Sequence, residues 1–167
     1  EKPGAESIQA LNTISNALSI HMREFYGENF DQINLRAIFA EKLIRGEVQG
    51  RQDIGKWSAL AGVELKPRYI MVTVSFKKGE QRALVRCLFS RIQLRGIPML
   101  MYQTDDTVCG ILYGLSGPAV RDIYLKQLGD ILFAYGFSCG VSRSFSSLED
   151  IAQYKRQSEV ALLIGGQ

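Results

Sequence analysis

The 167-residue chain is poor in the residues from which metal and nucleophile sites are usually assembled. It has one histidine, His21, and three cysteines, Cys87, Cys109 and Cys139. An odd, widely spaced set of cysteines suits neither a disulfide framework nor a zinc knuckle. All three lie in apolar segments and read as buried free thiols in a reducing cytoplasm. His21 is remote in sequence from every cysteine, which argues against a Cys–His nucleophile pair. A histidine-based metal site would need more ligands than this, so His21 reads as a surface or interface residue. No Walker-type glycine loop precedes a Lys-Ser/Thr pair. No apolar run reaches the length of a membrane span, and the start, Glu1-Lys2-Pro3-Gly4, is not a signal peptide. An initiator Met is also missing, so the expectation is an excised piece of something longer, from which an upstream signal could have been lost. There is no internal repeat and no low-complexity tract. The net charge of +3 is too slight to argue for nucleic acid by itself.

What is present is an ordinary soluble composition, 46% hydrophobic and 22% charged. It is organised around Ile97–Tyr113. Two apolar runs, Ile97–Tyr102 and Val108–Tyr113, flank a polar turn, Gln103–Thr107, and read as a β-hairpin. Both runs are apolar on nearly every residue. Such strands are covered on both faces or lie centrally in a sheet. A helical segment precedes the hairpin and another follows it, each with a strand on its far side. The order β-α-β-β-α-β predicts an α+β fold, an antiparallel ferredoxin-like sheet backed by helices, with this hairpin at its middle.

In chain order, Glu6–Tyr26 carries a narrow stripe, Ile8, Leu11, Ile14, Leu18 and Met22. It is either a helix-pairing seam or a helix docked on its own domain. Leu35–Ile44 reads as a second helix, with Leu35, Ile38, Phe39, Leu43 and Ile44 on its apolar face and Gly46 as its stop. Gly50–Asp53 is loop-like, and Ile54–Ala61 is a short helix with Ile54, Trp57, Leu60 and Ala61 on one side, in which Trp57 packs. Tyr69–Phe76 alternates as a strand, Ile70, Val72, Val74 and Phe76 facing one way. Lys77-Lys78-Gly79 turns into a helix over Glu80–Arg95, spined by Leu84, Leu88 and Ile92 and stopped by Gly96. Arg82, Arg86, Arg91 and Arg95 fall off this spine as a solvated face. Pro118 suits the first position of the next helix, whose face is Val120, Ile123, Tyr124, Leu128, Ile131 and Tyr135. Phe137–Ser142 is the fourth strand. A last helix spans about Leu148–Ile164, with Ser146 and Glu149 spaced as a capping box.

Two stretches carry a family resemblance. Gly140–Leu162, GVSRSFSSLEDIAQYKRQSEVAL, resembles the central region of the CdaR/PucR family of bacterial transcription regulators. So does Leu43–Phe76, with its Gly-Glu stop, short helix, Pro and first strand. Here Ala61-Gly62 takes the place of the family's Leu-Gly turn. The resemblance spreads over roughly Leu35–Gly165. It implies a GGDEF-like domain, a degenerate relative of the diguanylate cyclase fold, at 63–167. Residues 1–62 are then an N-terminal helical extension for linkage and dimerisation. The family's DNA-binding helix-turn-helix follows this region and would lie beyond Gln167.

A working cyclase holds Mg²⁺ against nucleotide phosphates with carboxylates at the end of the first strand and on the hairpin turn. Here that strand ends Val74-Ser75-Phe76. The turn is Gln103-Thr104-Asp105-Asp106-Thr107, without the glycines that let a backbone approach a nucleotide. Asp105 and Asp106 read as turn residues. No catalytic, cofactor-binding or metal-binding residue is therefore assigned, and no enzyme is expected. The resulting reading is a cytoplasmic, non-catalytic regulatory and self-association domain, a homodimer through its N-terminal helices. DNA would be contacted only through the helix-turn-helix outside this chain. The alternative is a sensor of a small-molecule effector, a metabolite or nucleotide, in a cleft that has lost its chemistry.

Overall fold

A strand that is apolar on both faces needs a layer of helices on each side, and the fold supplies both. In the computed structural model, residues 34–76, 81–104 and 106–165 are described. After a helix over 34–44 (α1) come α2 (Arg51–Leu60), β1 (Ile70–Ser75), α3 (Gln81–Leu94), β2 (Met99–Gln103) and β3 (Thr107–Leu112). Then follow α4 (Pro118–Ala134), β4 (Ser138–Val141), a 3₁₀ turn at Leu148–Asp150 and α5 (Ile151–Gly165). The strands form one antiparallel sheet in the order β2-β3-β1-β4. This is the expected β-α-β-β-α-β arrangement. The hairpin is not wholly central, however. β3 is an inner strand and β2 an edge, because β1 inserts between β3 and β4.

One core lies between the sheet and the α3/α4 layer. It joins Ile70, Val72 and Val74 of β1 to Leu88 and Ile92 of α3 and Leu128 and Ile131 of α4. The other joins Met71, Leu100 and Ile111 to Phe39 and Leu43 of α1, Ala61, Phe145 and Ile151. The compact unit runs from Arg36, so α1 beyond that point and α2 share the sheet's core. The boundary read after Gly62 divides segments that pack together. Arg36 ties them, donating to the carbonyls of Ala61 and Gly62 at 3.2 Å each, where cations suit a helix C-terminus. Trp57 stacks on Phe39 at 6.3 Å between ring centroids, a packing role as expected.

Several local expectations need correction. Ile38, Leu60 and Ile123 point outward, 42%, 62% and 54% exposed; Ala40 and Leu132 are buried in the helices of Ile38 and Ile123 instead. Helix α2 starts at Arg51 within the expected loop, after Gly50 at φ 77. The cap before the last helix is Ser147, not Ser146: Ser147 Oγ accepts from the Glu149 amide at 3.2 Å. The tight 3₁₀ turn that follows moves the cap by one residue. Cys109 is buried, but Cys87 and Cys139 are exposed. Arg91 and Arg95 are solvated as expected. The Glu6–Tyr26 helix, His21 and the Lys77-Lys78-Gly79 turn lie outside the described residues, as do the side chains of Arg82 and Arg86. Gly46 and Gly96 do take the left-handed conformation, at φ 73 and 65.

Helix α5 lies unusually close to the sheet. A Cβ on Gly140 of β4 would overlap the backbone of Ser158 and Leu162, and Thr73 Oγ1 and Ser158 Oγ are 2.7 Å apart in a buried pair. Because Ser158 donates to the Lys155 carbonyl at 2.8 Å, its oxygen is left to accept from Thr73. Gly140→Ala is therefore expected to cost about 2–3 kcal/mol or more, since backbone on both sides must yield. Gly129 of α4 has open space where a Cβ would stand, so Gly129→Ala should add about 0.5–1 kcal/mol. Urea denaturation of the two variants checks both signs.

Candidate functional site

In the sheet, the C-terminal end of β1 and the hairpin turn meet at one edge of the fold. Ser75 pairs with Thr107 of β3 and Ser138 of β4, and the Phe76 amide points to the Asp106 carbonyl at 3.5 Å. This is where a metal-nucleotide site would need oxygen ligands. What β1 delivers there is an aromatic ring. Phe76 lies 6.2 Å from Phe137, which in turn stacks on Tyr135 at 6.0 Å.

The turn is closed by its threonines. Thr104 N donates to the Thr107 carbonyl at 2.8 Å. The two hydroxyls are 2.7 Å apart, and Thr107 N donates to Thr104 Oγ1 at 3.1 Å. Thr104 Oγ1 also reaches the Asp106 carboxylate at 3.5 Å. The Thr-x-x-Thr spacing stands in the sequence, but only the paired strand ends bring the hydroxyls together. Asp105 lies outside the described residues. Among the described residues no group of three or more His, Cys, Asp and Glu could hold a metal ion.

On the α1/α5 face a polar seam runs over the hairpin. Arg45 donates to the Tyr102 hydroxyl at 3.1 Å and pairs with Glu41 at 3.1 Å. Across from it Lys155 meets Glu159 at 2.6 Å, and that bond raises the Lys155 pKa. Beneath lies Cys109, 1% exposed. Burial pushes its thiol up from the ordinary 9.0, against the downward pull of the Lys155 charge. A buried thiol held protonated is a poor nucleophile. Sequence inspection missed this seam because its members come from α1, β2, β3 and α5.

Residues 45–164, well over half of the chain, match the GGDEF-like domain family. The chain belongs to that family. No curated protein and no solved structure matches it. The match begins within the α1/α2 segment and ends in α5, so the GGDEF-like domain takes in the α2 layer as well as the sheet. Among the described residues no helix is long and apolar enough to cross a membrane.

Two outcomes follow for the titratable groups of the domain. Burial also raises the Tyr69 and Tyr113 phenols, with Arg36 drawing Tyr113 partly back. Each of these groups, like Cys109, keeps its proton longer folded than unfolded, so the native state binds more protons at high pH. Stability is then intact below pH 9.0, the ordinary thiol value, and falls as the pH rises through the folded values. Urea midpoints at pH 8 and 10 should show the drop, and Cys109→Ala should make it shallower. Ellman's reagent should titrate Cys87 and Cys139 in the native protein and Cys109 only after unfolding. Desolvation raises the Cys139 thiol pKa, which slows its reaction at neutral pH.

Proposed function

We propose that this GGDEF-like domain is a non-catalytic regulatory and self-association module of a cytoplasmic bacterial transcription regulator of the CdaR/PucR type. It would relay a signal from upstream helices to DNA-binding helices elsewhere in a longer protein. The observation that carries the reading is the edge of the sheet at Phe76. There the end of β1 offers Ser75 and Phe76, and Phe76 belongs to an aromatic group with Phe137 and Tyr135. Phosphoryl transfer in a cyclase works by metal ions and cations arranged around the phosphates, and an aromatic cluster presents neither. The Thr104–Thr107 hydroxyls are spent on each other. The narrow apolar stripe of Glu6–Tyr26 supports the self-association half of the reading.

The test is direct. Incubation with GTP and Mg²⁺ or Mn²⁺ is expected to yield no cyclic dinucleotide, and product formation that survives purification would refute the non-catalytic assignment. Light scattering is expected to show a dimer at high micromolar concentration, lost when Leu11 and Leu18 are both changed to Asp. A monomer at that concentration removes self-association from the proposal.

A further inference from the structure

At the edge of the sheet remote from the hairpin turn, a cleft of about 340 Å³ opens between the start of α4 and the loop after β4. Its lining includes Arg68, Leu115, Pro118, Arg121, Ser144 and Ser146. Among the described residues no carboxylate lines it. Arg68 stands just before β1, where the Leu115 amide donates to its carbonyl at 3.4 Å. It is the one non-glycine residue with positive φ among the described residues, at 71°. Glycine would take that conformation more cheaply, so the arginine side chain, not the backbone, is what the position gains. Among the described residues the Arg68 guanidinium makes one long bond, 3.5 Å to the Ser116 carbonyl. Arg121, one turn into α4, spends Nε and Nη2 on Asp122 at 2.8 Å. The rest of its five-donor fork remains available.

We infer that this cleft binds a small oxyanion, a carboxylate or phosphate group, between Arg68 and Arg121. Two guanidinium groups facing one opening suit planar or tetrahedral oxyanions, which accept paired N–H bonds from each. Ser144 and Ser146 also line the cleft, and their hydroxyls can act as neutral donors. The helix start adds to the same sign of field: Gly117 brings no side-chain cap, and the first-turn amides have no acceptor within the helix. A second cleft, of about 460 Å³, shares Ser146, has apolar residues Ile54, Leu65 and Tyr69 in its lining and carries Arg51 and Glu149 as its charged residues. It gives room for the body of a ligand whose charged end sits at the arginines. The inference does not need the domain to self-associate, so binding and light scattering can fail separately.

The experiment uses the whole chain and two probes, inorganic phosphate and succinate, against chloride at matched ionic strength. A saturable rise in melting temperature is expected with at least one probe, since a ligand confined to the native state stabilises it. Phosphate alone, succinate alone or both would each support the site and would name the group it takes. The Arg68→Gln, Arg121→Gln double variant should bind at least about tenfold more weakly, as loss of charge-assisted bonds requires. Arg156→Gln, on the exposed side of α5, should bind as the parent does. Should Arg68→Gln disturb folding, Arg68→Gly relieves the positive φ and removes the same guanidinium. No saturable rise with either probe, or a rise equal in the double variant, overturns the inference.

Discussion

The fold rests on one constraint: β1 has no solvent face. Its even-numbered residues, Ile70, Val72 and Val74, are committed to the α3/α4 core, and Met71 to the α1/α5 core. A strand buried on both sides can keep a polar residue only if that residue is bonded. Thr73 meets that condition through Ser158 of α5. The bond needs α5 to lie almost on the backbone of β4, and Gly140 is the residue that lets it do so. Strand, helix and glycine therefore depend on one another, and the second helical layer is fixed relative to the sheet by this contact.

The same constraint separates the two edges of the sheet. With both faces covered, only the strand ends and their loops can meet a ligand. At the hairpin end the loops are closed on themselves by Thr104 and Thr107, and β1 finishes in an aromatic group. At the other end the segment before β1, the start of α4 and the loop after β4 leave two clefts, one with Arg68 and Arg121 as its charged lining and one with Arg51 and Glu149. A domain of this kind puts its open, basic surface where the hairpin is not. The polar seam of Arg45, Tyr102, Lys155 and Glu159 is a third feature, yet its groups are paired with one another. It closes the α1/α5 layer over the hairpin and shields Cys109.

Much of this was legible in the residues. Near-continuous apolar runs at Ile97–Tyr102 and Val108–Tyr113 require cover on both faces, and the alternation of Ile70, Val72 and Val74 shows that they share one face. Gly46, Gly96 and Pro118 mark helix ends because their backbone chemistry is local. Ile38 and Ile123 misled because helical periodicity gives a stripe but not its centre. A residue near the margin of the stripe is buried or exposed according to the neighbouring helix. Cys87 and Cys139 misled for a similar reason, since an apolar neighbourhood in sequence is not a buried position in space. The glycine-free hairpin turn and the carboxylate-free end of β1 were readable directly. The Arg68–Arg121 cleft was not, since its two cations stand far apart in the chain and on different elements.

The sequence by itself determined the order of elements, the double-sided burial of the inner strands, the lack of a carboxylate at the end of β1 and the lack of glycines in the hairpin turn. Each of these follows from local chemistry or from residue type. Tertiary structure alone decided that β2 is an edge, that α1 and α2 join the sheet's core, and that α5 rests on Gly140. It also decided which distant cations share an opening. Those outcomes depend on strand pairing and on the approach distance of whole elements, and neither is encoded within any one window of the chain.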